Sequence, residues 1–88
     1  MTKKEIERLK EIYFRACVRK ERATVALTQA LISGDQFTVK TVSHSIATAQ
    51  QCAVADVMMA FFDDATIDAI EDEAREKYFA NPESFEED

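Results

Sequence analysis

From Thr41 to Ala55 the chain carries no Asp, Glu, Lys or Arg, although such residues make up 32% of its 88 positions. A helix that faces water shows a charged side, so a helix built on this stretch is expected to be covered on more than one side. The flanks are sorted by sign. Residues 1–34 hold eight Lys/Arg and four Asp/Glu, residues 35–62 one Lys and two Asp, and residues 63–88 two Lys/Arg and eleven Asp/Glu. The pattern predicts a buried central element between a basic end and an acidic end.

A chain of this length makes one domain with a modest core, and small domains often gain stability by association. One Gly and one Pro, among many Ala, Glu and Lys, favour helix. The start, Met1-Thr2-Lys3-Lys4-Glu5, mixes charge where a secretory leader would run apolar. The charge-free stretch contains Ser, Thr and Gln and falls short of the roughly 20 apolar residues that span a bilayer. The expectation is a cytoplasmic protein without a membrane segment. In that setting Cys17 and Cys52 are expected to be reduced thiols, packed as small core residues.

Three helices and two turns follow from the periodicity. Thr2 and Glu5 have capping-box spacing and open helix 1. Ile6, Leu9, Tyr13, Ala16, Ala23, Leu27, Ala30 and Leu31 make one apolar stripe, interrupted by Lys20. Phe14, Val18, Val25 and Ile32 make a second stripe on a different side, which predicts two packing partners. Ser33-Gly34-Asp35 ends the helix, with Gly34 as the left-handed closing residue and Asp35 or Thr38 capping the next helix. The connection is short, so helices 1 and 2 are expected to form an antiparallel hairpin. Helix 2 runs from Gln36 or Val39 to Phe62. Along it, Val39, Val42, Ile46, Ala49, Ala53, Val57 and Ala60 keep the three- and four-residue steps of a helix-packing seam. Asp63-Asp64 breaks the apolar run. Helix 3 covers about 65–79 with Ile67, Ile70, Ala74 and Tyr78 on one face, and Asn81-Pro82 stops it. Residues 1–81 thus read as one helical domain and 82–88 as an acidic tail. The fold class is all-α: a long hairpin plus a shorter third helix. Two faces on each long helix exceed what one hairpin covers, so the chain is expected to assemble as a dimeric helical bundle with Val42, Ile46, Ala49, Ala53, Val57 and Ala60 at the seam.

No catalytic constellation accompanies these elements, and no enzyme activity or cofactor is expected. One Gly excludes a glycine-rich phosphate loop. His44 stands alone among Ser, Thr and Gln and reads as a polar packing residue. The acidic residues Asp63, Asp64, Asp68, Glu71, Asp72, Glu73 and Glu76 lack calcium-loop spacing and the Glu-x-x-His pair of di-iron bundles, so no metal is expected. They suit a docking face for a basic protein. A compact acidic helical protein could serve as a regulator, adaptor or inhibitor. One such role is blocking a nucleic-acid-binding machine, as a phage or mobile-element protein would. The alternative is nucleic-acid binding through Lys4, Arg8, Arg15, Arg19 and Arg22, which share one side of helix 1 over about 27 Å. The acidic overall balance, net −6, opposes that alternative. Phe61, Phe62 and Phe79 read as packing residues, and Phe85 as part of a frayed end.

Overall fold

The computed structural model is all-helical and describes residues 1–85. Helix α1 spans Lys3–Ser33, α2 spans Phe37–Met59, α3 spans Asp64–Ala80, and a 3-10 turn covers Pro82–Phe85. No helix among the described residues is long and apolar enough to cross a membrane.

Local chemistry accounts for the boundaries. The Thr2 hydroxyl accepts from the Glu5 backbone amide at 3.1 Å, and the Glu5 carboxylate accepts from the Thr2 amide, so the capping box forms in full. Gly34 closes α1 at φ 74°, and its amide donates to the Ala30 carbonyl at 2.7 Å. Neither Asp35 nor Thr38 caps α2. Gln36 occupies that position in the left-handed region, at φ 55°, with no side-chain hydrogen bond. The Ser33 hydroxyl instead accepts from the Asp35 amide, turning the tight connection with local groups. Helix α2 ends at Met59, before the expected Phe62, where the Phe61 and Phe62 amides both return to the Met58 carbonyl. Asp63 then caps α3 by accepting from the Thr66 amide at 2.8 Å.

The core is a small cluster of Tyr13, Cys17, Val18, Met58, Ile67, Ala74 and Tyr78. Tyr13 and Met58 are 0% exposed and Val18 is 1% exposed. Helix α1 packs against both α2 and α3, while Leu31 and Ile32, one from each of its apolar stripes, remain exposed. From α2, His44 Nε2 lies 3.2 Å from the Thr24 hydroxyl, and the Gln51 amide reaches the Cys17 sulfur at 3.5 Å. From α3, Ile67, Ala74 and Tyr78 face inward as the spacing requires. Cys17 is a buried free thiol, whereas Cys52 is free but exposed, so only one of the two is the packing residue expected of both.

The central element is not enclosed by its own chain. Between Thr41 and Ala55 only Ala47 is buried; His44, Thr48, Gln51, Val54 and Ala55 are half-buried and the others face solvent. The shape explains this. The molecule measures 46 × 24 × 22 Å with a radius of gyration of 14.1 Å, against about 12 Å for a compact chain of this length. A 17-residue α3 is about 25 Å long and covers little more than half of α1, which is about 46 Å long. The connection between α1 and α2 overhangs it, leaving Leu31, Ile32, Phe37 and Val39 exposed. The turn after α3 closes the other side. Phe85 is half-buried, its ring 6.4 Å from that of Phe14 and 6.2 Å from that of Tyr78, and its carbonyl accepts from Arg22 at 2.6 Å. The frayed end expected for Phe85 is therefore absent at that residue; residues 86–88 of the expected tail lie outside the described residues.

Candidate interaction surfaces

The acidic residues of α3 divide by their position around the helix. Asp64, Asp68, Asp72 and Glu76 recur every four residues and are all exposed, while Ile67, Ala74 and Tyr78 of the same helix are buried. Asp72 reaches Arg75 at 3.8 Å, and Glu73 bridges Lys77 at 2.7 Å, both along the helix surface. Such exposed pairs contribute little to stability. Among the described residues Asp64, Asp68 and Glu76 have no ion pair. Asp63 is occupied as a cap, and its hydrogen bonds from Thr66 hold its carboxyl below the ordinary value.

Glu71 stands apart from this row. It is half-buried and accepts a short hydrogen bond from the Tyr13 hydroxyl, 58 positions earlier. It holds α3 on α1 and is withdrawn from the docking face where the spacing placed it. Burial first, and then the bond to Glu71, push the Tyr13 hydroxyl well above its ordinary 10.0. A raised folded-state value means the Tyr13 contribution to stability is complete below pH 10 and declines as the pH climbs above it. Cys17 shifts in the same direction, by burial, so some decline begins near its ordinary 9.0. Tyr13→Phe should cost about 1–2 kcal/mol at neutral pH and flatten the loss above pH 10. Chemical denaturation of both proteins across pH 8–11 checks this, and superimposable profiles would refute the Tyr13–Glu71 account.

The basic residues of α1 differ in exposure along the helix. Lys4, Arg8 and Arg15 are exposed, and Arg19 and Arg22 are half-buried. Glu11 interrupts the row, bridging Arg15 at 2.8 Å and Arg8 at 3.8 Å. Arg22 is engaged by the Phe85 carbonyl. Arg19 and Arg22 also line a groove with Ala23, Ala26, Lys40, Ser43 and Ile46 between α1 and α2. The row is thus broken by its own acid and tied at Arg22 to the turn after α3.

The third surface is apolar. Val42, Ile46, Ala49, Ala53, Val57 and Ala60 all face solvent, together with Val39. The inner face of α2 is made of Lys40, His44, Ala47, Thr48, Gln51, Val54, Ala55 and Met58. The stripe with the best helical spacing is therefore the one that the chain itself leaves uncovered.

No group of His, Cys, Asp and Glu among the described residues could hold a metal ion. Comparison with protein-family models, with curated proteins and with solved structures finds no match for this chain.

Proposed function

We propose that this chain is a non-enzymatic protein-interaction module, a small regulator, adaptor or inhibitor, that binds a basic protein through α3. The observation that carries the reading is the row Asp64, Asp68, Asp72 and Glu76, exposed along a helix that Ile67, Ala74 and Tyr78 anchor in the core. A rigid run of like charge at regular spacing offers complementary cations a fixed target and accelerates encounter. A nucleic-acid-binding protein whose site must be blocked is one partner of the right charge.

The scaffold of this reading is an antiparallel α1–α2 hairpin working as a homodimer. Two contacts support the hairpin: Thr24 with His44, and Cys17 with Gln51, are both symmetric about Gly34. The exposed stripe on α2 supports the dimer, since a soluble chain seldom leaves a continuous apolar helix face in water. Joined there, two chains would form a four-helix bundle with both α3 helices outside and both acidic rows accessible.

Reversing Asp68, Asp72 and Glu76 to Lys tests the acidic row. These residues are exposed, so the fold is retained. Binding to a basic partner isolated from the native host should weaken by at least an order of magnitude, mainly through a slower association rate, and rising salt should weaken the native complex similarly. Arg8, Arg15 and Arg19 reversed to Glu serve as the matched control. Loss of binding in the control with retention in the α3 variant would replace the acidic-face reading with the basic stripe.

A further inference from the structure

The uncovered stripe of α2 is compatible with pairing against a second copy of itself. Reversing the sequence about the midpoint between Ala49 and Gln50 maps Val39 onto Ala60, Val42 onto Val57 and Ile46 onto Ala53. Ala49 falls within one residue of its own image. Each larger branched side chain in the inner part of the pattern meets a smaller or equal one, and the centre is Ala. We infer that α2 docks on α2 of a second copy of this chain in antiparallel register, with a two-fold axis between Ala49 and Gln50. The inference rests on the dimer reading above and adds its geometry. A two-fold interface requires a patch complementary to itself, and a stripe that reads nearly the same in both directions meets that requirement.

Charge points the same way. Lys40 and Asp56 are the only Lys, Arg, Asp or Glu in α2, and of the two only Asp56 is exposed, Lys40 lying on the inner face. In antiparallel register the two Asp56 residues are about 20 Å apart along the axis. A parallel, in-register pair would set Asp56 beside Asp56. Antiparallel packing also sets the two helix dipoles in opposition. The central Ala49 and Ala53 permit close approach of the axes, about 8 Å.

The available surface fits a dimer. A stable pair buries about 800 Å² per partner, roughly an eighth of the chain's 6013 Å². One side of α2 from Val39 to Ala60, about 32 Å long, supplies roughly 600 Å². Ala23 and Ala26 of α1, which share a groove with Ile46, extend the face.

Cysteine placement tests the register in a Cys52→Ser background, in which the exposed native thiol is gone and Cys17 stays buried. Ala49→Cys, Ile46→Cys and Ala53→Cys are each made singly and exposed to an oxidised glutathione buffer. All three positions face solvent in the single chain, and retained helical circular dichroism confirms folding. Antiparallel docking sets residue 49 about 1.5 Å along the axis from its mate, and residues 46 and 53 about 10 Å from theirs. A disulfide needs Cα atoms within about 7 Å. Ala49→Cys should therefore give a covalent dimer. Ile46→Cys and Ala53→Cys should not cross-link alone, but should do so when mixed with each other. Cross-linking of all three singly, in a protein that sediments as a dimer, would overturn the antiparallel register and leave the dimer standing. A dimer with no cross-link at residue 49 would remove α2 from the interface. A monomer throughout the micromolar range would overturn the dimer and the register together, leaving the face to a different protein. None of these outcomes bears on the charge-reversal test of the acidic row.

Discussion

Met58→Ala should lower the stability of the chain by about 2–5 kcal/mol, the range for removing a large buried side chain from a core that relaxes only in part. Met58 is 0% exposed and sits where α1, α2 and α3 meet, in one cluster with Tyr13, Val18 and Ile67. The core contains few fully buried large side chains, so each carries a large share of a total stability of roughly 5–15 kcal/mol. Each kcal/mol corresponds to a fall of about 4–8 °C in melting temperature for a domain of this size. A drop of at least 8 °C is therefore expected by thermal circular dichroism. Ile32→Ala is the control. Ile32 is an equally apolar residue on α1, but it is 84% exposed, and its loss should change stability by less than about 0.5 kcal/mol. Equal effects from the two substitutions would mean that the core is assigned to the wrong place.

Some of this architecture is legible in the sequence because its causes are local. The capping box needs only Thr2 and Glu5. The left-handed stop needs only Gly34, and the α3 stripe needs only four apolar residues at helical spacing. Helix α1 has more apolar surface than one neighbour covers, and both α2 and α3 pack on it.

The contacts that spacing missed are non-local or polar. Nothing near Tyr13 in the sequence identifies Glu71 as its partner, and nothing near Phe85 identifies Phe14. The cap of α2 is missed because the turn after Gly34 places Gln36, itself at positive φ, where Asp35 was expected. The main difference lies in α2. Its inner face carries His44, Thr48 and Gln51, which look like a solvated side when read by hydropathy. His44 and Gln51 meet Thr24 and Cys17, so polar groups pair across part of the intrachain contact. The outer face carries the cleaner apolar pattern. Hydrophobic periodicity identifies a face that requires a partner, but it does not say whether that partner belongs to the same chain.

Ala53→Glu and Val57→Asp separate those two possibilities. If a second chain covers the stripe, either substitution places an unpaired charge within the joint. The cost is several kcal/mol of association free energy, enough to raise the dissociation constant by two orders of magnitude or more. Sedimentation at micromolar concentration should move from about twice 10.0 kDa to 10.0 kDa. The separated chain should keep its helical content, because both residues face solvent within it and neither touches the Tyr13–Met58 core. Its melting temperature should lose the dependence on protein concentration that association imposes on the native protein. Met58→Ala gives the contrasting pattern, a stability loss inside each chain with the apolar stripe intact. Ala53→Glu that sedimented as a dimer, with an unchanged melting curve, would show that the stripe is not covered by a second chain. Unfolding of Ala53→Glu even as a dilute monomer would show that the stripe lies inside the chain's own core.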